Sequence, residues 1–117
     1  MQYLLLIYDA EKDLRALPEA ERGQINTDYI AFTKEIHASG HFKGGDALQS
    51  VDTATTVRVR DGKPQITDGP FAETREQLGG FYLIEAKDLD EATAIAARIP
   101  IARLGSIEVR PIDPMRN

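Results

Sequence analysis

The sequence predicts an α+β domain of ferredoxin-like arrangement, ordered β-α-β, hairpin, β-α-β. Three observations predict it. Continuous apolar runs of strand length occur at 3–8 and 81–84. Two segments carrying a single apolar helical stripe lie between strand-like runs. Two alternating segments, 56–60 and 65–67, flank the turn residues Asp61-Gly62-Lys63. With 117 residues, 42% of them apolar and 28% charged, the chain has material for one core, so residues 1–117 form a single domain.

Taken in order, Tyr3-Leu4-Leu5-Leu6-Ile7-Tyr8 reads as a central strand buried on both faces. Residues 9–17 are polar and acidic and read as a connection. Pro18, followed by Glu19 and Glu21, suits the first turn of a helix. In that helix Ile25, Tyr29, Phe32 and Ile36 share one stripe, and Gly40 supplies the left-handed stop. Phe42 to Leu48 forms the second strand, where Gly44-Gly45 marks a bulge or a close approach to the backbone. After the hairpin, Phe81-Tyr82-Leu83-Ile84 is another strand. Asp88 or Asp90 caps a helix whose Leu89, Ala92, Ala96 and Ile99 share a face before Pro100 ends it. Ser106 to Arg110 alternates and closes the sheet. Two helices cover one face of such a sheet, and the bare face is expected to be buried in a homodimer.

Composition narrows the partners. Fourteen Lys and Arg against nineteen Asp and Glu give a net charge of −5, unsuited to tracking phosphates, so nucleic acid is not an expected partner. Without cysteine there are no disulfides, thiolate zinc sites or thiol nucleophiles. No apolar run approaches the roughly 18 residues of a membrane span. The first residues lack a basic region and a small-residue cleavage site, so a cytoplasmic location is expected. Phosphate-loop and serine-triad signatures are absent, and no cofactor is expected.

The densest unusual segment is Thr67 to Tyr82. Asp68-Gly69-Pro70 is turn chemistry, followed by Phe71 and the charged Glu73, Arg75 and Glu76. If this turn folds over the second strand, Asp46, Asp68 and Glu73 converge, and carboxylates sharing a pocket perturb one another's ionisation. Arg58 or Arg60 would be their counter-ion. His41, at the head of the strand leading to Gly44-Gly45-Asp46, is either an acid/base group or a cap on the helix end. His37 and His41 are four apart, but Gly40 ends the helix between them and no carboxylate completes a ligand set, so no metal site is expected. Tyr29 is either a core residue or a hydrogen-bond donor; its ordinary pKa of about 10 makes it a poor base.

Several of these stretches resemble the YCII-related family. They are the opening Tyr3–Tyr8, Ala54-Thr55-Thr56-Val57-Arg58, Thr67 to Thr74, Glu76 to Tyr82 and Ile107-Glu108-Val109-Arg110-Pro111. The branch resembled is named for a DGPF motif, here Asp68-Gly69-Pro70-Phe71. The resemblance covers essentially the whole chain and implies a dimeric α+β barrel of ferredoxin-like subunits. It also implies a His-Asp pair in a cleft, and one branch of the family is associated with dehydrochlorination of chlorinated hydroxyhydroquinones. Counting back from Gly40, the family's His position holds Tyr29, while its Asp position holds Asp46.

The expected function is binding of a small organic molecule between the helix carrying Tyr29 and the Gly45-Asp46 and DGPF region. Gly45, Gly69, Pro70, Phe71, Glu73 and Arg58 would contact it. If the molecule is turned over, the chemistry is proton abstraction or elimination, with Asp68, Asp46 or His41 as base and Tyr29 as donor. Whether the protein is an enzyme stays open at this point. DGPF proteins are associated with extracytoplasmic-function sigma factors, which makes a non-catalytic ligand-sensing module the second reading. A purely architectural DGPF segment bracing the dimer is the third.

Overall fold

The computed structural model describes residues 1–116. Six strands are present: β1 (Gln2–Asp9), β2 (Phe42–Ala47), β3 (Thr55–Arg60), β4 (Lys63–Asp68), β5 (Gln77–Glu85) and β6 (Ser106–Pro111). Four form an antiparallel sheet in the order β2-β5-β1-β6, while β3 and β4 pair only with each other. This is the split β-α-β arrangement expected from the sequence, with the hairpin inserted between its halves.

Strand β1 is central, yet the single chain buries only one of its faces. Tyr3, Leu5 and Ile7 are buried, whereas Leu4 and Leu6 stay partly exposed beside Leu83 and Phe81 of β5. The expectation of burial on both faces is therefore corrected for the isolated chain, because every helix that packs on the sheet lies on one side.

The helices are α1 (Glu11–Ala16), α2 (Glu19–Ala38) and α3 (Leu89–Ala97). Helix α1 falls where a plain connection was expected. It has two acidic residues in its first turn, a Glu11–Arg15 ion pair one turn apart, and Leu14 packed against the core. Helix α2 begins after Pro18 and ends before Gly40, whose φ of 81° is the left-handed stop. Of its stripe, Phe32 and Ile36 are buried and Tyr29 packs against them. On α3 the buried residues are Ala92, Ile95 and Ala96, with Ile99 following; Ile95 takes the place expected of Leu89, which is exposed. Asp88 caps this helix by accepting from the Glu91 N–H at 2.9 Å. The core thus joins Leu5 and Ile84 of the sheet to Ile36, Ile95, Ile99 and Ile101.

The hairpin stands apart from this core. Its cross-strand pairs Val57–Ile66 and Val59–Pro64 put the apolar side chains on one face, and these three are 61%, 70% and 60% exposed for Val57, Ile66 and Val59. The molecule is accordingly flat, 48 × 43 × 19 Å, with a radius of gyration of 16.2 Å. A compact domain of this length would have about 13 Å.

The core and the exposed face of α2 respond oppositely to substitution. Ile84→Ala, at a fully buried site, is expected to lower stability by about 2–5 kcal/mol. At Gly23 of α2 an added Cβ meets nothing, so Gly23→Ala is expected to raise it by roughly 0.5–1 kcal/mol. Urea titration checks both.

Candidate functional site

A cavity of about 520 Å³ lies between α2 and the sheet. It forms where the strands present backbone in place of side chains: Gly45 of β2 and Gly79-Gly80 of β5 line it, facing Asn26, Tyr29 and Thr33 of α2. At Gly45 a Cβ would stand 2.7 Å from the Phe81 carbonyl oxygen and 2.9 Å from a Tyr82 ring carbon. Only glycine fits there. The expected irregularity at Gly44-Gly45 is present as a register shift between Phe42 and Gly44, and β5 has a second shift opposite Ile7 and Tyr8.

Four polar side chains in the cavity have defined roles. Tyr82 packs edge-on to Phe32 at 5.4 Å, and its hydroxyl lies 2.8 Å from that of Thr33. Burial pushes the pKa of this phenol up, so it keeps its proton. Asp9, the last residue of β1, is half-buried, and its Oδ2 lies 3.2 Å from the point where a Cβ on Gly79 would be. Burial first, then the charges of Glu11 and Glu76, hold its carboxyl above the usual aspartate range. Tyr29 is shifted up strongly, chiefly by burial and then by the nearby Tyr82 and Asp9, so it remains a protonated donor at any physiological pH. Apolar walls from Ile7, Leu14, Ile25, Phe42 and Ile101 complete the enclosure. An apolar cavity with a few convergent polar groups is the usual form of a small-molecule site.

Of the residues singled out from sequence, the structure brings Tyr29 and Gly45 into this cavity. Asp46 is at its rim, but its cross-strand partner is Phe81, so its side chain shares the helix-free face of the sheet with that ring. Asp68 ends β4, paired with Thr55, and Arg58 pairs with Gln65 within the hairpin. The Gly69 N–H donates to the Ala54 carbonyl at 2.7 Å and the Gly69 carbonyl accepts from the Thr56 hydroxyl at 2.9 Å. This turn closes the hairpin upon itself instead of folding over β2. The convergence of Asp46, Asp68 and Glu73 therefore does not occur within one chain. Pro70, Phe71 and Glu73 follow outside the cavity, with Phe71 79% exposed.

His41 is also elsewhere. Its Nε2 is 3.2 Å from Glu91 Oε1 and its Nδ1 is 2.6 Å from Ser39 Oγ, tying the end of α2 to the start of α3. Glu91 is held below the usual glutamate range, first by the Lys87 N–H and also by this histidine. The helix-end role is the one its surroundings match. No group of three metal-ligating side chains is placed to hold an ion among the described residues.

Sequence reasoning passed over Asp9, Asn26, Thr33 and Tyr82 as site residues. For Asp9 a signal existed: a single carboxylate that ends a buried apolar strand, in a chain with a Gly-Gly pair on another strand.

Comparison with known proteins agrees with this fold. A family model for the YCII-related domain matches residues 1–116. An uncharacterised protein of Rhizobium meliloti is 37% identical over 114 residues, which is 96% of this chain and 92% of that one. The structure is similar to that of 5-chloro-2-hydroxyhydroquinone dehydrochlorinase from Burkholderia phenoliruptrix in complex with 2,5-dihydroxybenzoquinone, with a TM-score of 0.57, 16% identity, and 97% and 94% of the two chains covered. At that identity the likeness concerns the fold. The family model spans every described residue, and the chain belongs to the YCII-related family.

Proposed function

We propose that the cavity takes a small hydroxylated organic molecule and that Asp9 moves a proton on it while Tyr29 donates a hydrogen bond. One observation carries this reading: a carboxyl held above its ordinary range shares an apolar cavity with a phenol that stays protonated. A carboxyl whose pKa is raised toward working pH exchanges protons more effectively as an acid or base. The fixed O–H of Tyr29 suits a substrate oxygen that gains negative charge as the proton leaves. Proton abstraction or elimination of this kind needs no cofactor. The similarity in fold to a dehydrochlorinase supports a hydroxylated ring as substrate.

The base is thus Asp9 and not Asp46, Asp68 or His41. Asp46 faces the other side of the sheet, Asp68 closes the hairpin, and His41 is engaged by Ser39 and Glu91. The protein belongs to the DGPF branch on this reading and works as a cytoplasmic homodimer, paired through the sheet face that carries Leu4, Leu6, Phe81 and Leu83. Those four apolar side chains are only partly covered within one chain, and Asp46, Glu108 and Arg110 border them on the same face. No described helix is long and apolar enough to cross a membrane. A ligand-sensing module beside a sigma factor would use the same cavity without turnover, giving saturable binding and no product.

Chloride release from 5-chloro-2-hydroxyhydroquinone tests the reading. Asp9→Asn is expected to lower the rate by about 10²–10⁴-fold and Tyr29→Phe by about 10²-fold. Full activity in Asp9→Asn would exclude this base.

Asp9 also links folding to pH. Its folded pKa lies above its unfolded one, so the folded state binds more protons between them and stability falls as pH rises through that window. Asp9→Asn is expected to raise the melting temperature at pH 7, with the gain shrinking as the pH approaches 4 and the wild-type carboxyl protonates. Thermal melts of both proteins across that range provide the check.

A further inference from the structure

The hairpin of β3 and β4 presents a problem of stability that the chain alone does not solve. A two-stranded hairpin is marginal in water unless one face packs on something. Here the pairing within β3 and β4 is regular, yet Val57, Val59 and Ile66 lie bare on one face and Phe71 is bare just beyond it. On the opposite face Arg58, Arg60 and Lys63 form no ion pair among the described residues. The arm therefore offers an uncovered apolar face and, with Arg58, Arg60 and Lys63 against Asp61 and Asp68, a small excess of positive charge on a chain whose net charge is −5.

The same chain has a second, partly covered apolar surface, the helix-free sheet face with Leu4, Leu6, Phe81 and Leu83, bordered by Asp46, Glu108 and Arg110. Four partly covered side chains fall well short of the roughly 800 Å² per partner that a stable interface buries. Sheet face and arm together make a larger surface, which a twofold axis would double. The charges agree in sign: the arm has a small positive excess and the rest of the molecule is acidic, which favours contact with another copy of that molecule.

We propose that the β3–β4 hairpin is an exchanged arm, crossing to a second copy of this chain so that Val57, Val59 and Ile66 are buried against that copy. The proposal rests on the homodimer reading above and adds to it where the arm goes. The hairpin's reach away from its own core, and the long 48 and 43 Å extents of the molecule, suit an arm whose cover is another molecule.

Lys63 is the sole lysine of the arm, which allows a direct test. Nitrogen-15-labelled and unlabelled proteins are mixed, treated with a lysine-specific cross-linker and digested for mass spectrometry. Links from Lys63 to Lys12, Lys34, Lys43 or Lys87 are expected between labelled and unlabelled chains, in amounts comparable to same-isotope links. Lys63 joined to these residues only within one chain, or not at all, overturns the exchange. Light scattering on the same samples separates the two ideas: a one-chain mass ends the homodimer reading and the arm with it, whereas a two-chain mass without mixed Lys63 links ends only the arm. Val57→Asp with Ile66→Asp, outside the core, is expected to weaken pairing by about tenfold or more. Unchanged pairing in that variant also overturns the proposal.

Discussion

Helix α2 can approach a sheet only as closely as the side chains between them allow, and most of this molecule follows from where those side chains are missing. Toward one end of the helix, Phe32 and Ile36 meet Leu5 and Ile84 in a filled core. Toward the other end, the strands under it carry Gly45, Gly79 and Gly80, and the space stays open. The Tyr82 ring lies against the bare backbone at Gly45, where no larger residue fits. Close packing and the cavity are two outcomes of one crossing, decided by residue size along β2 and β5.

The electrostatics of the cavity depend on the same arrangement. Asp9 ends a strand at the margin of the apolar layer, so its carboxyl is partly removed from water while Glu11 and Glu76 approach it. All three effects disfavour its charged form, and none of the six ion pairs of the described residues involves it. Tyr29 and Tyr82 lie in the same low-dielectric space and keep their protons for that reason. A carboxyl on the sheet and a neutral donor on the helix, Asp9 and Tyr29, thereby share one cavity, with the Tyr82 phenol beside them on the sheet.

Much of the architecture was legible because it is periodic. The stripe of α2, the alternation of β3 and β6 and the stop at Gly40 are local patterns with one physical meaning each. Helix α1 was not legible because two turns with a single inward Leu14 leave no period to detect. The direction of the DGPF turn was not legible either: Asp68-Gly69-Pro70 states that the chain reverses, but the hydrogen bonds of Gly69 to Ala54 and Thr56 decide that it closes the hairpin. Asp9 acquires its meaning only from Glu76 and Gly79, which are distant in sequence and brought close by the pairing of β1 with β5. Tyr29 was visible from its place on the stripe, as were the glycines of β2.

The central claim is that the fold itself keeps the Asp9 carboxyl protonated to a higher pH than an ordinary aspartate. Carbon-13 NMR of the aspartate side-chain carboxyls, titrated in the ligand-free protein and assigned through Asp9→Asn, measures this directly. The account predicts a midpoint for Asp9 above the ordinary aspartate value. A midpoint at or below the ordinary value would contradict it.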